Sequence, residues 1–151
     1  MNADLTRAAK ILIIDDEPDN VFILEKMLRV WGYENLTSTT DARDALGLFQ
    51  AHRPDFIFLD LMLPHIDGFA VLEQIRGETG DRFLPIVALT ADISPQTKKR
   101  ALAAGASDFL TKPYDSIEVL LRLQNLLQTR FLYLELENQK NALEAALAKT
   151  E

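Results

Sequence analysis

Five polar residues stand where short apolar runs end. Asp15 and Asp16 follow Ile11-Leu12-Ile13-Ile14, and Asp60 follows Phe56-Ile57-Phe58-Leu59. Thr90 follows Ile86-Val87-Ala88-Leu89, and Lys112, itself followed by Pro113, comes after Asp108-Phe109-Leu110-Thr111. Taken singly each has an ordinary role: an Asp pair makes a turn and helix cap, Asp60 could cap the loop after it, Thr is a good strand residue, and Lys is usually a solvated charge. Taken together, three carboxylates, a hydroxyl and an ammonium at the same relative position are hard to read as coincidence. Clustered carboxylates repel and raise one another's pKa unless a cation sits among them. Oxygen donors without His or Cys suit magnesium, which takes one or two carboxylates directly and keeps several waters. Such a centre could bind a phosphoryl group while a carboxylate attacks phosphorus, with Lys112 as the neutralising ammonium. Thr90 could donate a hydrogen bond to a phosphoryl oxygen, a bond that exists only in the modified state.

For these residues to meet, the runs that precede them must be parallel strands. Four of the five runs are those just named, and Leu36-Thr37-Ser38-Thr39 is the fifth; stretches of helical period separate them, the pattern of strands joined by crossover helices. Three runs are apolar at consecutive positions, as in strands covered on both faces. Val21, Leu24, Leu28 and Trp31 predict a first helix bracketed by Pro18 and Gly32, and Ala42, Ala45, Leu46 and Phe49 a second stopped by Pro54. Phe69, Leu72 and Ile75 give a third, begun by the Asp67-Gly68 cap and ended by the Gly77 to Gly80 turn. A fourth runs from Ser94-Pro95 to Gly105. In an open parallel sheet, functional groups gather at the C-terminal edge of the strands.

The fifth helix starts at Asp115, with Glu118 positioned to complete a capping box. No Gly or Pro follows Pro113, and if continuous to Glu151 the helix would be about 55 Å long. A compact domain of this size cannot cover it. Leu120, Leu127 and Leu134 recur every seventh residue with Leu123 between them; Leu136 and Leu143 continue in a shifted frame, joined by Leu132 and Ala146. The alternatives are a solvated tail and a parallel coiled coil joining two chains. The second is favoured, because Leu126, Phe131, Leu132 and Tyr133 would otherwise lie exposed.

The 151 residues carry 16 basic and 23 acidic side chains, a net charge of -7 that opposes direct binding to nucleic acid or anionic lipid. With no cysteine, thiol catalysis, disulfides and cysteine-ligated zinc are excluded. No apolar run approaches the roughly 20 residues of a membrane span, and Met1 to Lys10 has no signal-peptide core. A cytoplasmic protein is expected, divided into a tail (1–8), one domain (9–128) and a helical linker (129–151).

Several motifs together resemble the receiver domain of two-component response regulators. They are Ile-Leu-Ile-Ile-Asp15-Asp16-Glu17-Pro18, Phe-Leu-Asp60-Leu-Met-Leu-Pro64-His-Ile-Asp67-Gly68, Ala-Leu-Thr90-Ala91, Ala104-Gly105-Ala106 and Phe-Leu-Thr-Lys112-Pro113. The resemblance covers about residues 9 to 128. It implies a flavodoxin-like (βα)5 fold with strand order 2-1-3-4-5, the fifth helix extended into the linker, and Asp60 phosphorylated by a sensor histidine kinase or phosphotransfer protein. It further implies magnesium held by Asp16, Asp60 and the backbone carbonyl of Met62, with Asp15 acting through water, and a cis Lys112–Pro113 bond. Thr90 and Phe109 would form the switch pair, and Phe109, lacking a hydroxyl, would have to choose its rotamer by packing alone. Met62 and Asp92 match positions that tune phosphoryl lifetime; Asp92 could hold an attacking water or pair with Lys112.

A phosphorelay role for His65 is rejected, because it follows Pro64 in a loop without a helical carboxylate neighbour, and His52 reads as surface. A dehalogenase-type phosphatase would need an acid two residues after Asp60, where Met62 stands. Neither phosphate-binding glycine motif is present, and with all five site residues in place a mere scaffold is disfavoured. The uninterrupted last helix suggests a chain cut inside a longer protein. Its sequence resembles, weakly, the linkers that lead to HD-GYP or GGDEF-type domains of cyclic-di-GMP turnover.

Overall fold

A computed structural model of the chain describes residues 6–80 and 83–150. Five strands, β1 (Ile11–Ile14), β2 (Leu36–Thr39), β3 (Phe56–Asp60), β4 (Ile86–Thr90) and β5 (Asp108–Thr111), form one parallel sheet in the order β2-β1-β3-β4-β5. The helices between and after them are α1 (Pro18–Val30), α2 (Ala45–His52), α3 (Gly68–Glu78), α4 (Pro95–Ala104) and α5 (Ser116–Lys149). This is the flavodoxin-like arrangement expected, with the fifth helix extended.

Strand alternation divides the core into two layers. Leu12, Ile14, Ile57, Leu59, Ile86 and Ala88 face one side with Ala45, Phe49, Leu72 and Ile75 of α2 and α3. Ile11, Ile13, Phe56, Phe58, Val87 and Leu89 face the other with Val21, Leu24 and Leu28 of α1 and Val119, Leu123 and Leu127 of α5. The three central strands are buried at every position, which accounts for their unbroken apolar runs.

Helix ends follow local chemistry with small departures. A 3-10 turn at Ala42–Asp44, capped by Asp41, precedes α2, and Arg53 closes α2 at a φ of 46° immediately before Pro54. Gly77 lies inside α3 rather than in the turn that ends it. Asp115 caps α5 by accepting from the Ile117 N–H at 2.9 Å, but Glu118 reaches forward to Arg122 at 3.7 Å, so the reciprocal half of the expected capping box gives way to an ion pair one turn along.

Contacts continue past both ends of the domain expected over residues 9–128. Of the tail expected over residues 1–8, residues 1–5 lie outside the described residues, while Arg7 donates to the Trp31 carbonyl at 3.0 Å. At the other end α5 stays packed beyond residue 128: Arg130 is buried and paired with Asp55 at 3.2 Å, and Tyr133 stacks on Phe83 with ring centroids 4.0 Å apart. Leu126 and Phe131, expected to be exposed, pack partly against the core, as their neighbours on the docked face require. From Glu135 onward nearly every residue is exposed, and Glu151 lies outside the described residues.

Candidate functional site

Register explains why the strand-end residues converge. Ile14 pairs with Leu59, so Asp15 emerges beside Asp60; Thr90 pairs with Thr111, so Lys112 emerges beside Thr90. Asp15, Asp60 and Thr90 are the polar residues buried at this edge. Beyond Asp60 the chain turns sharply, and Gly68 sits against that turn. A Cβ there would lie 2.5 Å from the Leu61 Cα and 2.7 Å from the Asp60 carbonyl oxygen, so no other residue fits without moving the loop. Asp67 caps α3 through the Phe69 N–H at 3.0 Å.

The Lys112 ammonium bridges the two buried carboxylates, 3.0 Å from Oδ2 of Asp15 and 3.0 Å from Oδ2 of Asp60. The second Asp60 oxygen accepts the Met62 N–H at 2.9 Å, and the second Asp15 oxygen accepts the Glu17 N–H at 3.0 Å. The Tyr114 hydroxyl donates to Oδ2 of Asp15 at 3.3 Å. Burial pushes the Asp60 carboxyl up to about 7, against the pull of the Met62 N–H and of Lys112 and with the help of the Asp15 charge. Burial alone would lower Lys112, but its bonds to Asp60 and Asp15 outweigh it, and the ammonium is held above its usual range. Burial, and then the negative charges of Asp15 and Asp60, raise Tyr114, so it remains a donor.

Asp15, Asp16 and Asp60 each offer an oxygen, all within 4.8 Å of one another. Three carboxylates against one ammonium leave an excess of negative charge in a largely buried pocket, and the donors are all oxygen. This set fits a hard divalent cation and leaves it a purpose.

Around this centre, Thr90 Oγ1 accepts the Asp92 N–H at 3.0 Å. Asp92 does not pair with Lys112. Its two carboxylate oxygens are taken at the start of α4, by the Ser94 N–H at 2.9 Å and the Thr97 hydroxyl at 2.6 Å, and the Thr97 bond does most to hold its carboxyl low. Met62 is 68% exposed, an apolar side chain beside the Asp60 loop. Phe109 is half-buried, with the Lys98 ammonium 4.6 Å from its ring centroid. The Lys112–Pro113 peptide bond is cis. His65 and His52 are exposed. Sequence reasoning missed Tyr114, whose partner lies 99 residues away; its place directly after Lys112-Pro113 was the one available signal.

Residues 11–124 match the family described as the response regulator receiver domain. Over 133 residues the chain is 35% identical to the response regulator PleD of Caulobacter vibrioides, a match covering 88% of this chain and 29% of PleD. Chemotaxis protein CheY4 of Vibrio cholerae superposes with a TM-score of 0.73 at 33% identity, covering 79% of this chain and 98% of that structure. NtrX of Brucella abortus superposes with a TM-score of 0.78 at 30% identity, covering 87% of this chain and 29% of NtrX. The chain thus spans about the length of CheY4 but under a third of PleD or NtrX. Among the described residues no helix is long and apolar enough to cross a membrane.

Proposed function

The chain belongs to the response regulator receiver domain family of two-component signalling, and on that premise we propose that Asp60 accepts a phosphoryl group from a histidine kinase or phosphotransfer protein. The observation that carries this reading is the buried Asp60 carboxylate, held 3.0 Å from a single ammonium inside a cluster of three acids. A carboxylate oxygen of Asp60 attacks phosphorus as the bond to the donor imidazole nitrogen breaks, and the imidazole leaves with the electron pair. Asp15, Asp16 and Asp60, with the Met62 carbonyl, would hold magnesium, which when bound would supply positive charge to the phosphoryl oxygens.

The remaining steps belong to the chain's own groups. Asp60 ionises readily once positive charge offsets the burial that raises its pKa. Lys112, already within hydrogen-bond distance of Asp60, can turn its ammonium to a phosphoryl oxygen and still hold Asp15. Tyr114 and the Glu17 N–H keep Asp15 oriented. Thr90 accepts from Asp92 and so keeps its own proton for a phosphoryl oxygen.

Transmission follows from the same bonds. Thr90 is tied to the Asp92 N–H, and the Asp92 carboxylate is tied to Ser94 and Thr97 in the first turn of α4. A shift of Thr90 toward the phosphoryl group therefore pulls on α4, and Phe109, under Lys98 of the same helix, repacks with it. The α4, β5 and α5 face is the output surface, and α5 is the stem by which two chains pair and lead to an output domain. Intact-mass spectrometry after incubation with magnesium and a small-molecule phosphodonor tests the acceptor. One phosphoryl adduct is expected, absent without magnesium and absent in Asp60→Asn. An adduct on Asp60→Asn would overturn the assignment.

A further inference from the structure

The seven-residue pattern in α5 does not describe its exposed face. Leu120, Leu123 and Leu127, which open that pattern, are buried against the sheet and unavailable to another helix. The large exposed apolar residues of α5 are instead Ile117, Leu121, Leu132, Leu136, Leu143 and Leu147. They repeat every eleven residues: Leu121, Leu132 and Leu143 form one row, and Leu136 and Leu147 continue a second that begins at the exposed Asn125. A third row holds Ile117 and the exposed amides Gln128 and Gln139. Eleven residues make three turns and about 20° at 3.6 residues per turn, so the rows form one stripe that hardly drifts over the helix.

From this stripe we propose that a second copy of the chain covers α5, parallel and in register, along a nearly straight eleven-residue seam running from the receiver into its linker. The proposal rests on the reading of α5 as a pairing stem and specifies its seam, direction and register. Three observations select a second copy. The stripe lies on the opposite side of α5 from Val119, Leu123, Leu127 and Arg130, the docked face. Two chains joined by it keep their domains on the outside, where they do not collide. Second, Gln128 and Gln139 recur within the apolar stripe. In register each amide meets its own copy and can donate and accept, and only a parallel, in-register pairing sets both glutamines against themselves. Third, Glu135 and Lys140 flank the seam on opposite sides, five residues apart, which is the offset that brings an acid of one helix to a base of its parallel partner. An eleven-residue repeat gives a slight right-handed wrap, in contrast to the left-handed wrap of a heptad seam.

The chain has no cysteine, so one substitution supplies the only thiol. Sedimentation of the full chain should give twice 17.0 kDa. Under mild oxidation, Gln128→Cys and Gln139→Cys should each form a disulfide-linked dimer, whereas Ala145→Cys, on the far side of the helix, should not. Only a parallel, in-register pair brings two positions eleven residues apart each onto its own copy. Leu132→Glu with Leu143→Glu should yield a monomer that still gains a phosphoryl adduct, which separates the stem from the acceptor chemistry. A monomeric parent chain at every concentration up to its solubility limit would overturn the proposal. So would cross-linking at Ala145→Cys, cross-linking at only one of the two glutamine positions, or a dimer that survives both glutamates.

Discussion

The two edges of the sheet each hold buried charge, and they hold it differently. At the edge where β3 begins, Asp55 meets one partner of opposite sign, Arg130, at 3.2 Å, and accepts the Lys10 N–H at 3.0 Å with its other oxygen. The Asp55 charge is met there by a buried arginine, and the pair fastens α5 to the sheet. At the edge where β3 ends, Lys112 is shared between Asp15 and Asp60 while Asp16 stands nearby. Matched charge at one edge serves the fold. Excess negative charge at the other costs stability and is relieved only by a cation, a proton or a rearranged ammonium, which is what a switchable site requires.

Breaking the matched edge should have the largest effect on stability and none on chemistry. Arg130→Met leaves Asp55 without its partner and should cost about 3 kcal/mol in denaturant unfolding, while phosphoryl uptake is unchanged. Loss of uptake in a variant that remains folded would show that the two edges are not independent.

The acidic edge should respond in the opposite sense. Asp60 in the folded chain titrates near 7, above the ordinary carboxyl value of 3.8. Between these values the folded protein holds a proton that the unfolded chain has released. In magnesium-free buffer, stability therefore falls as pH rises from about 4 to about 7, by at most about 1.4 kcal/mol per unit, and levels off above. Asp60→Asn should remove most of that slope and unfold about 2 kcal/mol later than the parent at pH 7.5. An unchanged slope in Asp60→Asn would mean that other groups carry the pH dependence.

Magnesium should act as the proton does. At pH 7.5, millimolar magnesium should stabilise the parent by about 1 to 2 kcal/mol in thermal unfolding and leave Asp60→Asn and Asp16→Asn nearly unmoved. Equal stabilisation of all three proteins would place the ion elsewhere. The smallest effect is expected at Tyr114. Tyr114→Phe removes one hydrogen bond to Asp15, worth about 1 kcal/mol, and should slow phosphoryl uptake only slightly because Lys112 and the Glu17 N–H still hold that carboxylate.

The parts of this arrangement that were legible in the sequence are those governed by local pattern. β1, β3 and β4 are covered on both faces, so their apolar runs announced them, and the residue after each run had to lie at the functional edge. Asp15, Asp60 and Thr90 were placed in that way, and Lys112 by the corresponding position after β5. Contacts between distant segments were not legible. Nothing in the residues around Asp55 points to Arg130, 75 positions later, or around Asp15 to Tyr114. The leucines of α5 show a further limit. Periodicity reports that a helix has an apolar face but not which body covers it, so Leu120, Leu123 and Leu127, which belong to the domain core, read as part of a seam between chains. Asp92 illustrates the same point on a smaller scale, since its bonds to Ser94 and Thr97 at the start of α4 are not legible in its position.

The most direct test of the central claim, that the over-acidic edge exists to carry a phosphoryl group on Asp60, is to locate the group. After incubation with magnesium and a phosphodonor, borohydride reduction converts an aspartyl phosphate to homoserine, and peptide mapping by mass spectrometry reads its position. The account predicts homoserine at residue 60 alone. Homoserine at position 15, 16 or 55, or a phosphorylated chain in which residue 60 remains aspartate, would contradict it.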